Sequence, residues 1–315
     1  MGKTGVVYFS DSQNIGDDIQ TYAAAQLVSE PYFLEREELN RYDSDKIPAI
    51  LSGWFMHNPQ NFPPSKKIKP LFISFHGKES IVNKEHYDYF KKHEPIGCRD
   101  YTTLKLFQSI GIKAYFSGCL TLTLTAPEKQ IKRGEEILVV DLLRKNYTTN
   151  YRKTIRESII PKEWRSKVSY FSHFIDDLPS MSLTERMKLV EEVLLRYAKA
   201  KFVVTSLIHC ALPCIALGTP VLFIDFGFNK SNLKRDRFEG ITELMNIYSK
   251  LDAPMSKRNL FHAGIRFLRI HRLFKHKIKP IPVSFFEEIK SNPPVNKKLI
   301  TDLKDKIKEF EESQK

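Results

Sequence analysis

FVVTSLIHCALPCIALGTPVLFID, residues 202–225, is typical of an α/β protein because it alternates strand, loop, helix, turn and strand. The β-branched run Phe202 to Thr205 predicts the first strand, and Gly218-Thr219-Pro220 predicts the end of the helix. These parts make half of a parallel βαβ unit. Ligands of parallel sheets bind beyond the carboxyl ends of strands, so we expect Ser206 and His209 to face a ligand. A core position is the alternative for His209.

The chain is long enough for two domains, because single cores rarely grow beyond about 250–300 residues and this chain has 315. Its 42% hydrophobic and 28% charged residues are typical of a globular protein. No apolar run approaches the roughly 20 residues of a membrane-spanning helix. The first residues, MGKTGVVYFS, predict a strand rather than a secretory signal, so we expect a cytoplasmic protein.

The formal net charge of +13 favours an anionic partner: a phosphorylated substrate, a membrane surface or a nucleic acid. Residues 257–279 carry Lys and Arg among Phe, Leu and Ile, with the period of a basic amphipathic helix. We expect this segment to bring the protein to lipid-linked substrates at the anionic inner face of a membrane. A charged helix packed on the second domain is the alternative.

The four cysteines predict buried thiols rather than disulfides in a large chain without an export signal. Cys210 and Cys214 lie four residues apart on one predicted helix, the spacing of a metal-binding pair. No second cysteine pair or nearby histidine pair completes the ligand set, so we expect no metal site.

The N-terminal segment reads as a strand, Gly5 to Phe9, a polar loop over residues 11–18 (DSQNIGDD), and a helix from about Ile19. Gly16 permits a tight turn in this loop. Its carboxylates, Asp17 and Asp18, either cap the helix or contact a substrate. No glycine-rich phosphate fingerprint is present.

Residues 53–70 predict a long irregular loop, and its Trp, Phe, His and Asn58 suggest that it lines a substrate cleft. The buried strand Leu71 to Phe75 follows and delivers His76 to its carboxyl end. We therefore expect Asn58 and His76 to contact substrate.

A further strand, ending at Cys98, delivers Arg99 to the start of the helix 102–110, which Asp100 caps and Gly111 terminates. Arg99 is positioned to bind a phosphate or carboxylate, with a salt bridge between domains as the alternative. The alternating residues LTLTL, 120–124, then predict another strand.

The charged stretch from Ala126 to Glu136 predicts the domain boundary. We expect an N-terminal domain over 1–134, a C-terminal domain over 135–285 and a helical tail over 286–315. In the second domain, Ser182 and Glu185 predict a capping box. Arg237 lies in a basic loop that either clamps a second anionic group or is simply solvated. Ile300, Leu303, Ile307 and Phe310 have helical spacing, so we expect the tail to pack on a domain.

Four stretches resemble one family, the polysaccharide pyruvyl transferases. These are NIGDDIQTYAAAQ, GWFMHNP, HEPIGCRDYTTLKLFQSIGI with SGCLTLTL, and SLIHCALPCIALGTPVLFID, and the resemblance spans about residues 1–245. It implies two Rossmann-like domains facing a central cleft, an architecture similar to the GT-B glycosyltransferases. It also implies transfer of pyruvate from phosphoenolpyruvate onto a sugar as a ketal, with no cofactor beyond that donor.

Matched residue by residue, the resemblance makes His209 the acid/base and Arg99 the ligand of the donor anion. The arginine of the family's Arg-x-His element is replaced here by Leu207. The resemblance implies a glycan or lipid-linked oligosaccharide acceptor from surface-polysaccharide synthesis, and no nucleic-acid partner. With this function we expect Asp17, Asp18, Asn58 and His76 as acceptor or cleft contacts. The other substrate-binding residues that we expect are Gly16, Ser206 and Arg237.

Two other functions fit the same residues. One is a GT-B-like glycosyltransferase that uses a nucleotide sugar, whose diphosphate would meet the basic loop after Asp225. The other is a non-catalytic glycan- or membrane-binding protein that retains the fold without the arginine at position 207.

Overall fold

The computed structural model describes residues 2–128, 130–142, 159–225, 238–248 and 281–314. Within these residues, the strands form two separate parallel sheets. The strands of the first sheet are β1 (Thr4–Tyr8), β2 (Pro31–Glu35), β3 (Ile47–Phe55), β4 (Ile68–Gly77), β5 (Ile96–Cys98) and β6 (Ala114–Phe116). Those of the second are β7 (Ile137–Val140), β8 (Val168–Phe171), β9 (Phe202–Thr205), β10 (Val221–Ile224) and β11 (Asn246–Tyr248).

The strand order is β2-β1-β3-β4-β5-β6 in the first sheet and β11-β10-β9-β7-β8 in the second. Every paired strand is parallel to its neighbour. Central strands such as β7 and β9 are buried along their whole length, which explains their unbroken hydrophobic runs. The chain is therefore built from two parallel-sheet α/β domains.

The helices are α1 (Ile15–Ala25), α2 (Tyr87–Lys92), α3 (Tyr101–Ser109), α4 (Leu183–Lys199), α5 (Ile208–Ala216), α6 (Val283–Glu288) and α7 (Lys297–Glu312). Short 3-10 turns occur at Arg36–Arg41, Pro59–Asn61, Leu120–Thr123, Lys162–Lys167, Leu178–Ser180 and Thr242–Leu244. One hydrophobic core joins the two sheets through α1, α4, α5 and α7. Separate cores cover the outer face of each sheet.

Several local predictions are confirmed. Asp100 caps α3 by accepting a hydrogen bond from the amide of Thr103, and Gly111 follows the helix with φ of +80°. Ser182 and Glu185 form the capping box of α4. The four cysteines are buried free thiols.

The start of α1 was predicted wrongly. The helix begins at Ile15, because Asn14 caps it by accepting a hydrogen bond from the amide of Gly16. Asp17 and Asp18 therefore lie in the first helical turn, where carboxylates favour the helix dipole, and Gly16 is helical rather than part of a turn.

Two other elements differ from prediction. The loop expected over 53–70 is shorter, because β3 continues to Phe55 and β4 begins at Ile68. Residues 120–124 do not form a strand, and Leu120–Thr123 is a 3-10 turn. Alternation predicts a strand only when one face meets solvent, and here the leucines and threonines of this segment are all buried between the sheets.

The C-terminal helix α7 packs on the first domain, as its spacing predicts. Leu303 and Ile307 enter the core between the sheets, and the carboxylate of Glu311 accepts a hydrogen bond from the hydroxyl of Thr4 at 2.9 Å. Arg237 and the basic segment 257–279 lie outside the described residues. No described helix combines the length and the hydrophobicity that a bilayer-spanning segment needs.

Candidate active site

Helix α1 begins where the two domains meet. The amide of Ile15 donates to the carbonyl of His173 at 2.9 Å, and the amide of Ile175 donates to the carbonyl of Gln13 at 2.9 Å. Asn14 and Phe174 form an isolated antiparallel bridge. The segment after β8, in the second domain, is thus hydrogen-bonded to the start of α1, in the first domain. These backbone contacts hold the two domains together.

Gly16 allows two histidines of the second domain to approach this helix. A Cβ atom at this position would lie 3.0 Å from Nδ1 of His173 and 3.1 Å from Cβ of His209. His173 is fully buried, and its Nε2 is hydrogen-bonded to the hydroxyl of Tyr197. The function of Gly16 is therefore close packing of the domains, and it brings the half-buried His209 against the first turn of α1.

Asp18 joins the domains through a buried arginine that the sequence reasoning missed. Its Oδ1 lies 2.8 Å and its Oδ2 3.0 Å from Nη2 of Arg186, and both side chains are buried. Arg186 also donates to the carbonyls of Phe9 at 2.7 Å and Ser10 at 2.9 Å. Burial raises the pKa of Asp18 to about 7, although the charge of Arg186 and its hydrogen bond oppose the rise. Asp18 therefore makes a domain contact and is not exposed to a substrate.

Asp17 faces a different group of side chains. The hydroxyl of Ser12 donates to its Oδ2 at 2.6 Å, and Nε2 of Gln20 donates to its Oδ1 at 3.2 Å. Burial raises the pKa of Asp17, against the hydrogen bond from Ser12 and the charges of Arg36 and Arg99. Asp17 is thus a half-buried carboxylate next to two cationic side chains.

Arg99 follows β5 and is buried, with 4% of its surface exposed. Among the described residues, its guanidinium donates one long hydrogen bond, 3.5 Å from Nη1 to Oε1 of Gln20. Its Nε is buried without an acceptor, and the nearest carboxylate oxygen, Oδ2 of Asp100, is 3.7 Å away. A guanidinium has five N–H donors, so this one is poorly satisfied and is suited to an oxyanion.

His76 is the second-last residue of β4 and is also buried. Its Nδ1 lies 2.7 Å from Oδ2 of Asp100 and 3.0 Å from the hydroxyl of Thr103. Strands β4 and β5 are neighbours, with Phe75 paired to Cys98, so the residues that follow them come together at one edge of the sheet.

Two of the predicted catalytic residues approach the same helix. His209 lies against Gly16 and Arg99 lies against Gln20. Because residues four apart share a helix face, both contacts fall on one side of α1, one turn apart. No group of three or more His, Cys, Asp or Glu suited to a metal ion occurs in the described parts of the chain.

A sequence model described as polysaccharide pyruvyl transferase matches residues 14–226. This range is more than half of the chain, and it contains α1, Arg99 and His209. The chain belongs to the polysaccharide pyruvyl transferase family. It is therefore a transferase, and its family acts on polysaccharides.

Comparisons with curated sequences and solved structures add little to the family assignment. No curated protein sequence matches the chain significantly. A functionally uncharacterized protein from Klebsiella pneumoniae is 13% identical over 81% of this chain and 93% of its own, with a TM-score of 0.40. S. aureus MnaA, in a co-structure with UDP, is 11% identical over 88% of this chain and 91% of its own, with a TM-score of 0.42. Similarity at this level does not indicate a substrate.

Two other predicted contacts of the pyruvyl transferase have structural partners. The hydroxyl of Ser206 is buried and lies 2.6 Å from the carbonyl of Asp141 and 3.0 Å from that of Leu142, so it secures the end of β7. Asn58 is exposed, and its side-chain oxygen accepts a hydrogen bond from the amide of Gln60 at the start of a 3-10 turn.

Arg36 is a further cation at this edge of the sheet that the sequence reasoning missed. It follows β2, is 2% exposed, and stacks on the rings of Phe9 and Trp54 at 4.8 and 5.3 Å. Its guanidinium contacts Nδ1 of His57 at 2.9 Å and Glu37 at 2.9 Å. The aromatic residues Tyr32 and Phe33 favour a strand. They could have predicted β2 and therefore Arg36 at its carboxyl end.

The Arg-x-His position is apolar in this pyruvyl transferase. Leu207 lies at the N-cap of α5 and provides no side-chain cap, and its amide donates to the hydroxyl of Thr205 at 3.0 Å. The second domain thus brings a histidine to the junction without the neighbouring arginine that the family pattern calls for.

Proposed function

We propose that this protein transfers the enolpyruvyl group of phosphoenolpyruvate onto a sugar of a surface-polysaccharide precursor and forms a pyruvate ketal. The observation that carries the proposal is the buried, poorly satisfied guanidinium of Arg99. Such a group favours a ligand with two anionic ends, a phosphate and a carboxylate, which phosphoenolpyruvate has. A GT-B-like arrangement, in which donor and acceptor meet in a cleft between the two domains, is part of this proposal.

In this mechanism Arg99 binds the donor anion and His209 delivers a proton to the donor's methylene carbon. Positive charge then develops on the adjacent carbon, which a sugar hydroxyl attacks. A histidine is suited to this step because it exchanges protons near neutral pH. Arg99 remains opposite the phosphate and carboxylate as their charge redistributes, and this stabilises the transition state.

The remaining steps close the ketal. Phosphate leaves with the bridging oxygen, and a second sugar hydroxyl attacks the same carbon. Two hydroxyl protons are released in all: one replaces the proton given to the methylene carbon, and the other leaves with phosphate. The reaction is therefore balanced without a cofactor or metal ion.

With Leu207 at the arginine position of the Arg-x-His element, Arg99 of the first domain supplies positive charge to the donor site in this proposal, and the predicted contact of Arg237 with a substrate stays part of it. Burial raises the pKa of Asp17 and the charge of Arg99 opposes this rise, so the two side chains share one electrostatic environment. We infer that Asp17 contacts the acceptor glycan, whose hydroxyl groups are good donors to a carboxylate. Attachment to lipid-linked acceptors through residues 257–279 is a further part of the proposal.

Phosphate release from phosphoenolpyruvate with a panel of glycan and lipid-linked acceptors tests this function. The wild type should release phosphate only when a suitable acceptor is present. His209→Gln fills the same space without transferring protons, and it should lower kcat about 10²–10⁴-fold. His93→Gln, at the end of α2, is the matched control and should retain activity.

Two results would contradict the proposal. Undiminished turnover by His209→Gln would exclude the assigned acid. Thermal stabilisation of the wild type by a nucleoside diphosphate, and none by phosphoenolpyruvate, would instead favour a glycosyltransferase.

A further inference from the structure

We propose that His76 is the general base that removes the proton from the attacking sugar hydroxyl, and that Asp100 is its positioning residue. The proposal rests on the function proposed above. It gives the two histidines different tasks, with His209 as the acid at the donor carbon and His76 as the base at the acceptor oxygen.

The carboxylate of Asp100 is held in one orientation. Its Oδ1 accepts hydrogen bonds from the amide and the hydroxyl of Thr103, both at 2.9 Å, because it caps α3. Its Oδ2 lies 2.7 Å from Nδ1 of His76. The side chain is completely buried. Capping uses only Oδ1 of Asp100. Because it fixes the orientation of the carboxylate, Oδ2 points at the imidazole of His76.

This contact determines which imidazole nitrogen reacts. A carboxylate accepts hydrogen bonds, so Nδ1 of His76 carries the proton and Nε2 is the basic nitrogen. Burial alone would raise the pKa of Asp100. The opposing effects outweigh burial and lower the pKa of Asp100. They are the hydrogen bond and charge of His76, the charge of Arg99 and the hydrogen bond from the amide of Thr103. Asp100 therefore remains ionised and stabilises the imidazolium that forms when His76 accepts a proton.

The pair is also next to the proposed donor site. Nε of Arg99 lies 3.7 Å from Oδ2 of Asp100, the same oxygen that contacts His76. If Arg99 binds the phosphate and carboxylate, the carbon between them is the one attacked by the sugar. A base for the attacking hydroxyl must lie beside that carbon, and His76 is beside Arg99.

The proton transfer is balanced. As the new carbon–oxygen bond forms, the O–H bond of the sugar breaks and its proton moves to Nε2 of His76. His76 then returns the proton to the departing phosphate. His76 then accepts the proton of the second sugar hydroxyl. This proton replaces the one that His209 gave to the methylene carbon. No additional reactant is required.

A second His–Asp pair among the described residues is different in character. His57 and Asp11 are 3.1 Å apart, and about half of each side chain is exposed. Exposed pairs of this kind are weakly held. Burial and capping therefore distinguish the pair formed by His76 and Asp100.

The test compares His76→Gln and Asp100→Asn with the control Asp43→Asn. Asparagine caps helices as well as aspartate does, so Asp100→Asn preserves the start of α3 while its amide opposes the required tautomer of His76. Asp43 lies on the surface and pairs with Lys67. Initial rates of phosphate release are measured across about pH 5–9, with KM for phosphoenolpyruvate determined separately from kcat.

We expect both site variants to lower kcat about 10²–10⁴-fold while KM for phosphoenolpyruvate changes little. His76→Gln should also remove the acidic limb of the kcat/KM profile, which reports ionisation of the free enzyme's base. Asp43→Asn should match the wild type. A merely structural contact would change stability without altering the pH profile.

The possible failures are distinct. A wild type that turns over phosphoenolpyruvate, together with a His76→Gln variant of equal kcat and unchanged pH profile, would overturn the role of His76 alone. A wild type that releases no phosphate with any acceptor would overturn the proposed function and this role with it. Nitrogen-15 NMR provides a second readout: a proton on Nε2 of His76, rather than Nδ1, at neutral pH would overturn the positioning role of Asp100.

Discussion

Two buried arginines show how the domain junction differs from the candidate active site. Arg186 is 2% exposed and Arg99 is 4% exposed. Arg186 donates to Phe9, Ser10 and Asp18 at 2.7–3.0 Å. The guanidinium of Arg99 donates one hydrogen bond, at 3.5 Å, among the described residues.

Burial alone therefore does not distinguish a structural charge from a functional one. A buried charge is expensive unless it is paired and hydrogen-bonded. Nε is buried without an acceptor in both arginines, but Nη1 and Nη2 of Arg186 make three hydrogen bonds of normal length within the protein, one of them to the buried Asp18, and these join the domains. Arg99 does not meet that condition, so its unused donors remain available to an anionic ligand, at some cost in stability.

The largest effect should come from Arg186→Met. The change removes the partner of a buried carboxylate, Asp18, together with two hydrogen bonds to backbone carbonyls. We expect the free energy of unfolding to fall by about 3–5 kcal/mol, measured by urea denaturation. The control is Arg196→Met on the same helix, whose half-exposed pair with Glu136 should contribute about 1 kcal/mol or less. Equal losses in the two variants would contradict the structural role of Arg186.

The cost of Arg186→Met should also grow with pH. Burial raises the pKa of Asp18 to about 7 in the wild type, and the unfolded value is about 4. Without Arg186, whose charge lowers this pKa, the folded variant keeps the proton to a higher pH. Stability falls with pH wherever the folded state binds more protons than the unfolded state. The variant should thus continue to lose stability above about pH 7, and a cost independent of pH would contradict this.

Arg99→Met should have the opposite signature. We expect kcat/KM for phosphoenolpyruvate to fall by about 10²–10³-fold, or about 2.7–4 kcal/mol. The free energy of unfolding should stay within about 1 kcal/mol or increase, because an apolar side chain replaces a poorly satisfied buried charge. Arg41→Met is the exposed control, and neither quantity should change. If Arg99→Met destabilised the fold as much as Arg186→Met, the contrast between the two arginines would be lost.

The smallest effect should come from Gly16→Ala. The added methyl would lie 3.0 Å from Nδ1 of the fully buried His173 and 3.1 Å from Cβ of His209. Such overpacking costs about 1–3 kcal/mol, which exceeds the gain in helix propensity of about 1 kcal/mol at most. Activity should fall as well, since His209 is displaced. In Gly134→Ala the nearest atom is at 3.6 Å, so this control should be nearly neutral, and similar behaviour of both variants would argue against the close contact.

Much of the fold could be predicted because its signals are local. The strand, helix and strand of residues 202–225 form as β9, α5 and β10. Asp100 caps α3, and Ser182 forms a capping box, because each contacts an amide three residues ahead. These contacts depend only on neighbouring residues.

Predictions failed where a distant contact competes with the local signal. Residues 120–124 alternate like a strand but are packed on both sides. The hydroxyl of Ser206 contacts carbonyls 64 and 65 residues away, which its place after a strand does not indicate, and its contact with a substrate stays a prediction. The residue types in these two segments do not indicate these distant contacts.

The amino-acid order is enough to establish the α/β class, the caps of α3 and α4, and the positions of Arg99 after β5 and His209 after β9, since these follow from short-range periodicity and turn chemistry. The partners of the buried charges do not follow from it. Arg186 and Asp18 are 168 residues apart, and Arg99 and Gln20 are 79 apart. Packing of two sheets around α1 brings such groups together, so only the folded chain shows that the guanidinium of Arg186 makes three close hydrogen bonds at the junction and that of Arg99 makes one long hydrogen bond at the site.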